Sequence, residues 1–216
     1  MRLLKRIGYT PNAPDDNHRT IESSFMAQLI PLDSFGLTER EVFAALARVK
    51  VRSVDYADLY FESSVTESVS MEESLVKRAT KSISQGVGVR ATAGEKTGFA
   101  YSDELRKQDL ELAADTARYI AMSPVGTDAP PVPIHARPRH DLYPVPQTAL
   151  EVATADRVAL LNQIDAEARK YDPRIKNVMA SFNTEFKIVM VATSEGTIIG
   201  DVQPLSRLQV TCLAEE

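Results

Sequence analysis

Gln85-Gly86-Val87-Gly88-Val89-Arg90-Ala91-Thr92-Ala93-Gly94-Glu95-Lys96-Thr97-Gly98-Phe99-Ala100-Tyr101 decides how the rest of the chain is read. Its first half alternates with the period of two that a β-strand requires. Val87, Val89 and Ala91 fall on one face, and Gly86, Gly88 and Arg90 on the other. A turn at Gly94 sends the chain back as a second strand. Glycine weakens a strand, so paired glycines on one face predict that a backbone or a bulky group comes close there.

The same glycines fit the loose form of a dinucleotide fingerprint, Gly86-x-Gly88-x-x-Ala91. That fingerprint needs a helix to open after the last position and to aim its N–H groups at a pyrophosphate. Thr92 to Gly98 reads as a turn instead. Gly94-Glu95-Lys96-Thr97 also fails as a phosphate loop, because Glu95 would place a carboxylate inside the phosphate cradle. A structural hairpin is the better reading.

Working outward, Thr38-Glu39-Arg40-Glu41 is a capping box that opens a helix with Val42, Phe43, Leu46 and Val49 on one face. Asp55 to Glu62 alternates as a strand with Ala57, Leu59 and Phe61 inward. Further strands are expected at 65–71 and 75–83. Ser102-Asp103-Glu104 is expected to cap a helix carrying Leu105, Leu112, Ala113, Thr116 and Tyr119. Between 123 and 148 lie Pro124, Pro130, Pro131, Pro133, Pro138, Pro144 and Pro146, a density that reads as an extended connection. A helix over 154–170 follows, with Val158, Leu161, Ile164 and Ala168 inward. Four strands are then expected, at 175–182, 186–193, 197–202 and 205–214.

The second part echoes the first. Val65-Thr66-Glu67-Ser68-Val69 aligns with Asn183-Thr184-Glu185-Phe186-Lys187, and Val87-Gly88-Val89-Arg90-Ala91 with Leu208-Gln209-Val210-Thr211-Cys212. The expected fold is therefore α+β, with two related helix-plus-antiparallel-sheet units joined by a Pro-rich connection. An extension spans 1–35, the first unit 36–122, the connection 123–148 and the second unit 149–216. The second unit is expected to be incomplete, lacking the strand that returns after the Gly94 turn in the first. Its last strand is then left with an open edge, which proteins usually cover.

Composition narrows the function classes. The 216 residues carry a net charge of -5, which argues against a dedicated nucleic-acid binder. The lone cysteine, Cys212, cannot form an internal disulfide, and no stretch reads as a signal peptide or a bilayer span. A cytoplasmic chain without membrane contact is expected.

Asp55 to Ser64, Gln85 to Arg90 and Gly94 to Tyr101 together closely resemble the N-terminal half of the TldD/PmbA family of metalloproteases, once described as modulators of DNA gyrase. Ala192 to Thr197 and Asp201 to Leu205 resemble later positions, so the likeness runs over about 36–216. The resemblance implies a zinc peptidase whose metal is held by a His-Glu-x-x-x-His helix and a later cysteine. It also implies pairing with a PmbA/TldE-like subunit around a chamber for unfolded peptides. The zinc motif has no counterpart here: His18, His135 and His140 are followed by Arg19, Ala136 and Asp141. The resemblance therefore carries over no catalytic, cofactor-binding or metal-ligating residue, and no cofactor is expected in this chain.

The remaining candidates read as structure. His135 and His140 lie in the proline-rich stretch and not on a helix face. Cys212 is expected to be a small buried hydrophobe. Asp55, Asp58, Glu62, Glu67, Glu72 and Glu73 read as solvated surface, as do Lys77, Arg78 and Lys81. Two functions follow: the scaffold and subunit-pairing region of a TldD-like metalloprotease lacking the catalytic half, or a stand-alone module that binds a partner by strand addition at its open edge.

Overall fold

The computed structural model describes residues 31–122 and 148–215. A short helix, α1 (Pro31–Phe35), precedes α2 (Glu39–Val49). Thr38 caps α2 as its sequence requires: the Glu41 N–H donates to the Thr38 hydroxyl, and the Glu41 carboxylate accepts from the Thr38 N–H at 2.9 Å. Val42, Ala45, Leu46 and Val49 form its buried stripe. Next come β1 (Tyr56–Glu72), β2 (Leu75–Ala93), β3 (Lys96–Ser102) and α3 (Lys107–Ala121). Beyond 148, a single 3₁₀ turn (Ala149–Glu151) leads to α4 (Thr154–Tyr171), β4 (Ile175–Thr193) and β5 (Ile198–Ala214). The five strands make one antiparallel sheet in the order β3-β2-β1-β4-β5. The α+β class expected from the sequence is the class observed.

The strands are longer and fewer than the sequence pattern predicts. Residues expected as two strands, 55–62 and 65–71, form the single 17-residue β1, and β2, β4 and β5 absorb similar pairs. The polar residues that suggested breaks, Ser63-Ser64 and Asn183-Thr184-Glu185, lie mid-strand between two separate core clusters. Packing there asks for no large apolar side chain. Pro204 does not interrupt β5 either, because β5 is an edge strand and a missing N–H on its outer side breaks no ladder bond.

One face of the sheet carries both clusters. Ala57, Leu59 and Phe61 of β1, Val87, Val89 and Ala91 of β2, and Met190 and Ala192 of β4 pack with the buried stripes of α1, α2 and α3. Further along the same face of β1, Val69 and Met71 pack with Ala180 of β4 and Leu161 of α4. Full burial of each such aliphatic side chain contributes about 1.5–3 kcal/mol. Phe35 docks α1 with its ring centroid 5.5 Å from that of Phe61.

The helix α3 differs from expectation in its start and its face. Arg106, not the Ser102-Asp103-Glu104 segment, occupies the N-cap, without a capping side chain. Its buried residues are Leu110, Ala113, Ala114, Ala117 and Ala121, while Leu112 and Tyr119 face solvent. Gly98 explains the choice. A Cβ built there would lie 2.0 Å from the Ala117 carbonyl oxygen and 2.6 Å from the Ala121 nitrogen. The α3 backbone rides directly on β3, and only alanines fit beneath it.

The two hairpins repeat. The β1–β2 register is centred on Ser74 and the β4–β5 register on Glu195, a spacing of 121 residues (195 minus 74). Adding 121 takes Val87, Val89 and Ala91 to Leu208, Val210 and Cys212, the alignment read from the sequence. It takes Val65 to Phe186, so the other alignment, which set Val65 against Asn183, is three residues out. An odd slip moves every side chain to the opposite face. Val65 and Phe186 are direct cross-strand partners and mark the centre of a local two-fold relation between the hairpins.

Candidate functional site

The charged residues of the sheet fall into two groups, one on each face. On the face without helices, Asp58 and Arg90 are cross-strand partners. The Arg90 Nε donates to Asp58 Oδ2 at 3.0 Å, a second guanidinium nitrogen donates to the same oxygen, and the Arg90 guanidinium lies 5.9 Å from the Tyr56 ring centre. Asp58 is 7% exposed, which corrects the expectation of a solvated carboxylate: the Arg90 and Tyr56 side chains cover it. Nearby, the Tyr60 hydroxyl donates to Glu62 at 2.7 Å. That bond, followed by burial, pushes the Tyr60 hydroxyl up to about 12, so it stays a donor at neutral pH.

On the helix face, Glu67 accepts from Lys81 at 2.8 Å and from Arg157 of α4. Arg157 is 3% exposed and also donates to the Ala149 carbonyl at 2.7 Å. Lys81 and then Arg157 hold the Glu67 carboxyl below its ordinary value. A carboxylate held ionised between two cations is a tie between α4 and β1 rather than a proton donor. Asp165 of α4 likewise accepts from the Ser74 hydroxyl at 2.7 Å and from Arg169 at 3.2 Å. Lys77 pairs with Glu73 at 3.4 Å, so the basic run on β2 is partly neutralised by the chain itself.

The glycines of the opening stretch have intramolecular reasons. A Cβ on Gly88 would meet the Phe99 ring at 3.1 Å, and one on Gly86 the Ser102 carbonyl oxygen at 3.0 Å. The close approach predicted there is made by β3 and the residue that follows it. Gly98, the tightest of the three, was missed. Its signal was the alanine-rich face of the next helix.

Among the described residues, no three His, Cys, Asp or Glu side chains come together as a metal-holding group. Asp58, Glu67 and Asp165 are committed to cations or hydroxyls, so the donors described here do not fit a zinc ion. His18, His135 and His140 lie outside the described residues. Cys212 is exposed, not buried as its residue type suggested, because β5 is an edge strand and no described helix covers that part of it. What the arrangement offers is surface: beside Cys212 on the helix side, Leu208 is 39% and Val210 41% exposed. No described helix is long and apolar enough to cross a membrane.

Comparison with known proteins matches both halves. Residues 57–121 match the model for PmbA/TldA metallopeptidase domain 1, and residues 148–216 that for the PmbA/TldA metallopeptidase central domain. A metalloprotease TldD homolog from Haemophilus influenzae is 34% identical over 165 residues, covering 76% of this chain and 34% of the relative. One from Buchnera aphidicola is 30% identical over 181 residues, covering 83% of this chain and 37% of the relative. The chain therefore spans about a third of the length of these relatives. Among solved structures, a protein described as a modulator of DNA gyrase from Thermotoga maritima superposes with a TM-score of 0.64 at 11% identity. It covers 85% of this chain and 40% of its own. TldE from Thermococcus kodakarensis gives 0.58 at 16% identity, covering 75% and 37%. These structures share the fold.

Proposed function

The chain belongs to the PmbA/TldD metallopeptidase family, and on that premise we propose that it is the scaffold and subunit-pairing region of a TldD-like zinc metallopeptidase. In this reading it carries no catalytic or metal-ligating residue. Metal-activated water attacks the peptide bond elsewhere in the assembly. The substrates are unfolded peptides, the partner is a PmbA/TldE-like subunit, and the setting is cytoplasmic. We place the functional boundaries at 1–35, 36–122, 123–148 and 149–216.

One observation carries the reading: the two family units share a single sheet through the β1–β4 pair. The ion pairs that bury Asp58, Arg157 and Asp165 lie within that sheet and its helices. Their chemistry is that of a rigid platform.

Two measurements test this. Metal analysis of the purified chain is expected to find no stoichiometric zinc and no cleavage of an unfolded casein-type substrate; one tightly held zinc per chain would falsify the reading. Co-purification with a TldE-type subunit is expected, and its failure counts against the pairing role. The second reading is a non-catalytic module that captures a partner by strand addition, favoured by the exposed outer strand β5. Recovery of an unrelated partner in place of a TldE-type subunit would support it.

A further inference from the structure

The sheet face without helices carries a slot that two glycines leave open. Gly88 of β2 lies between its cross-strand partners, Tyr101 of β3 and Tyr60 of β1. Gly86, the next β2 residue on that face, lies opposite Glu62. Asp103 flanks its other side, with Oδ1 3.6 Å from where a Cβ on Gly86 would stand. Neither glycine puts a side chain between its neighbours, so the β1 and β3 side chains stand about 9–10 Å apart, two strand spacings. The Phe99 ring leans over Gly88 and floors the slot, since a Cβ there would meet it at 3.1 Å. Three aromatic rings thus gather at Gly88 and two carboxylates at Gly86. Tyr101 is 73%, Phe99 57% and Tyr60 42% exposed, and Asp103 is exposed as well.

Aromatic faces and carboxylates share a preference for cations. The same sheet face shows what satisfies such a set. At Tyr56 and Asp58, the Arg90 guanidinium pairs with the carboxylate and lies 5.9 Å from the ring centre. Tyr60 and Glu62 repeat that tyrosine-x-acid spacing four residues on, but the place of Arg90, opposite the acid, is taken by Gly86. Among the described residues, Lys187 pairs with Glu62 at 3.6 Å from the β4 side and is shared with Glu185 at 3.5 Å. The β3 side, with Asp103 and Tyr101, is left to solvent. We propose that the slot binds an arginine side chain presented by a partner polypeptide. The guanidinium stacks on the Phe99 ring between the two tyrosines, and its nitrogens donate to Asp103 and Glu62. A guanidinium suits the slot better than an ammonium, because a planar group can stack on a ring while its edge pairs with carboxylates. The inference is independent of the scaffold reading.

The test titrates the whole chain with acetyl-Gly-Arg-Gly-amide and follows the backbone amide resonances of Gly86 and Gly88 by heteronuclear NMR. Saturable shifts centred on these two glycines are expected, with a Kd in the millimolar range. The citrulline analogue, neutral and nearly the same shape, should shift neither, and the lysine analogue should bind more weakly. Tyr101→Ala and Asp103→Asn are each expected to weaken arginine binding by about threefold. Both side chains are exposed, so the circular dichroism and urea midpoint should stay those of the parent chain. Equal shifts with the citrulline or the lysine peptide overturn the proposal, as does unchanged binding by both variants. Shifts that grow with the chain's own concentration in the absence of peptide assign the slot to a second copy and overturn it too. Absence of any saturable shift overturns it outright, and none of these outcomes bears on the scaffold reading.

Discussion

Val89 and Val210 occupy the same position in the two repeated hairpins, yet one is fully buried and the other 41% exposed. The difference does not come from the strands, which are of similar length, 19 and 17 residues, and follow the same register logic. It comes from what lies outside them. The β2 edge is taken by β3, and its face by a helix pressed close enough to forbid a side chain on Gly98. Among the described residues, the matching stretch of β5 has neither. Identical local pattern thus produces core in one hairpin and surface in the other, and burial depends on the neighbour supplied.

That contrast can be broken most sharply at the paired valines. Val89→Asp is expected to cost about 4 kcal/mol or more, since it buries an unpaired charge. Urea denaturation should show the chain largely unfolded. Gly98→Ala attacks the cover itself. With the new Cβ on the Ala117 carbonyl, α3 must lift from β3, and a loss of about 3 kcal/mol in the same assay is expected. Between the two units, Glu67→Gln leaves Arg157 without its carboxylate and is expected to cost about 2 kcal/mol. An unchanged midpoint would show that the Ala149 carbonyl alone satisfies the guanidinium.

The same carboxylate gives a pH test. Its folded-state value lies below the ordinary 4.5. Its stabilisation is therefore present above 4.5 and is lost as pH falls through the lowered value. The parent chain should lose stability across that acid window, and Glu67→Gln should lose less of its own; parallel profiles would remove Glu67 from the account. The smallest effect is expected at the exposed repeat counterpart of Val89. Val210→Asp should shift stability by no more than about 0.5 kcal/mol. A large loss there would mean that β5 is covered in solution.

Much of this architecture was legible because periodicity reports which face is buried. The capping box at Thr38, the inward set Ala57, Leu59 and Phe61, and the turn at Gly94 follow directly from residue pattern. Strand length was not legible, since polar residues between two core clusters look the same as polar residues in a turn. The Glu73-Ser74 turn was hidden for another reason. Both residues adopt left-handed φ values, 51° and 59°, normally the province of Asn and Gly. Here the Ser74 hydroxyl is anchored by Asp165 of α4, 91 residues away in sequence. The inward face of α3 was misread because large residues usually mark the core, whereas Gly98 brings the backbones so close that alanines must. Arg157 could not be foreseen as buried, since its partner Glu67 lies in the other unit.

Val65 facing Phe186 at the centre of the repeat has one more implication. Two hairpins related by a two-fold axis and joined strand to strand form the arrangement by which identical subunits associate isologously. This chain encloses that arrangement within a single polypeptide, so each half can diverge without its mirror image having to follow. A small Val beside a large Phe on the axis is a mismatch that a true homodimer could not adopt, because there each position must tolerate itself.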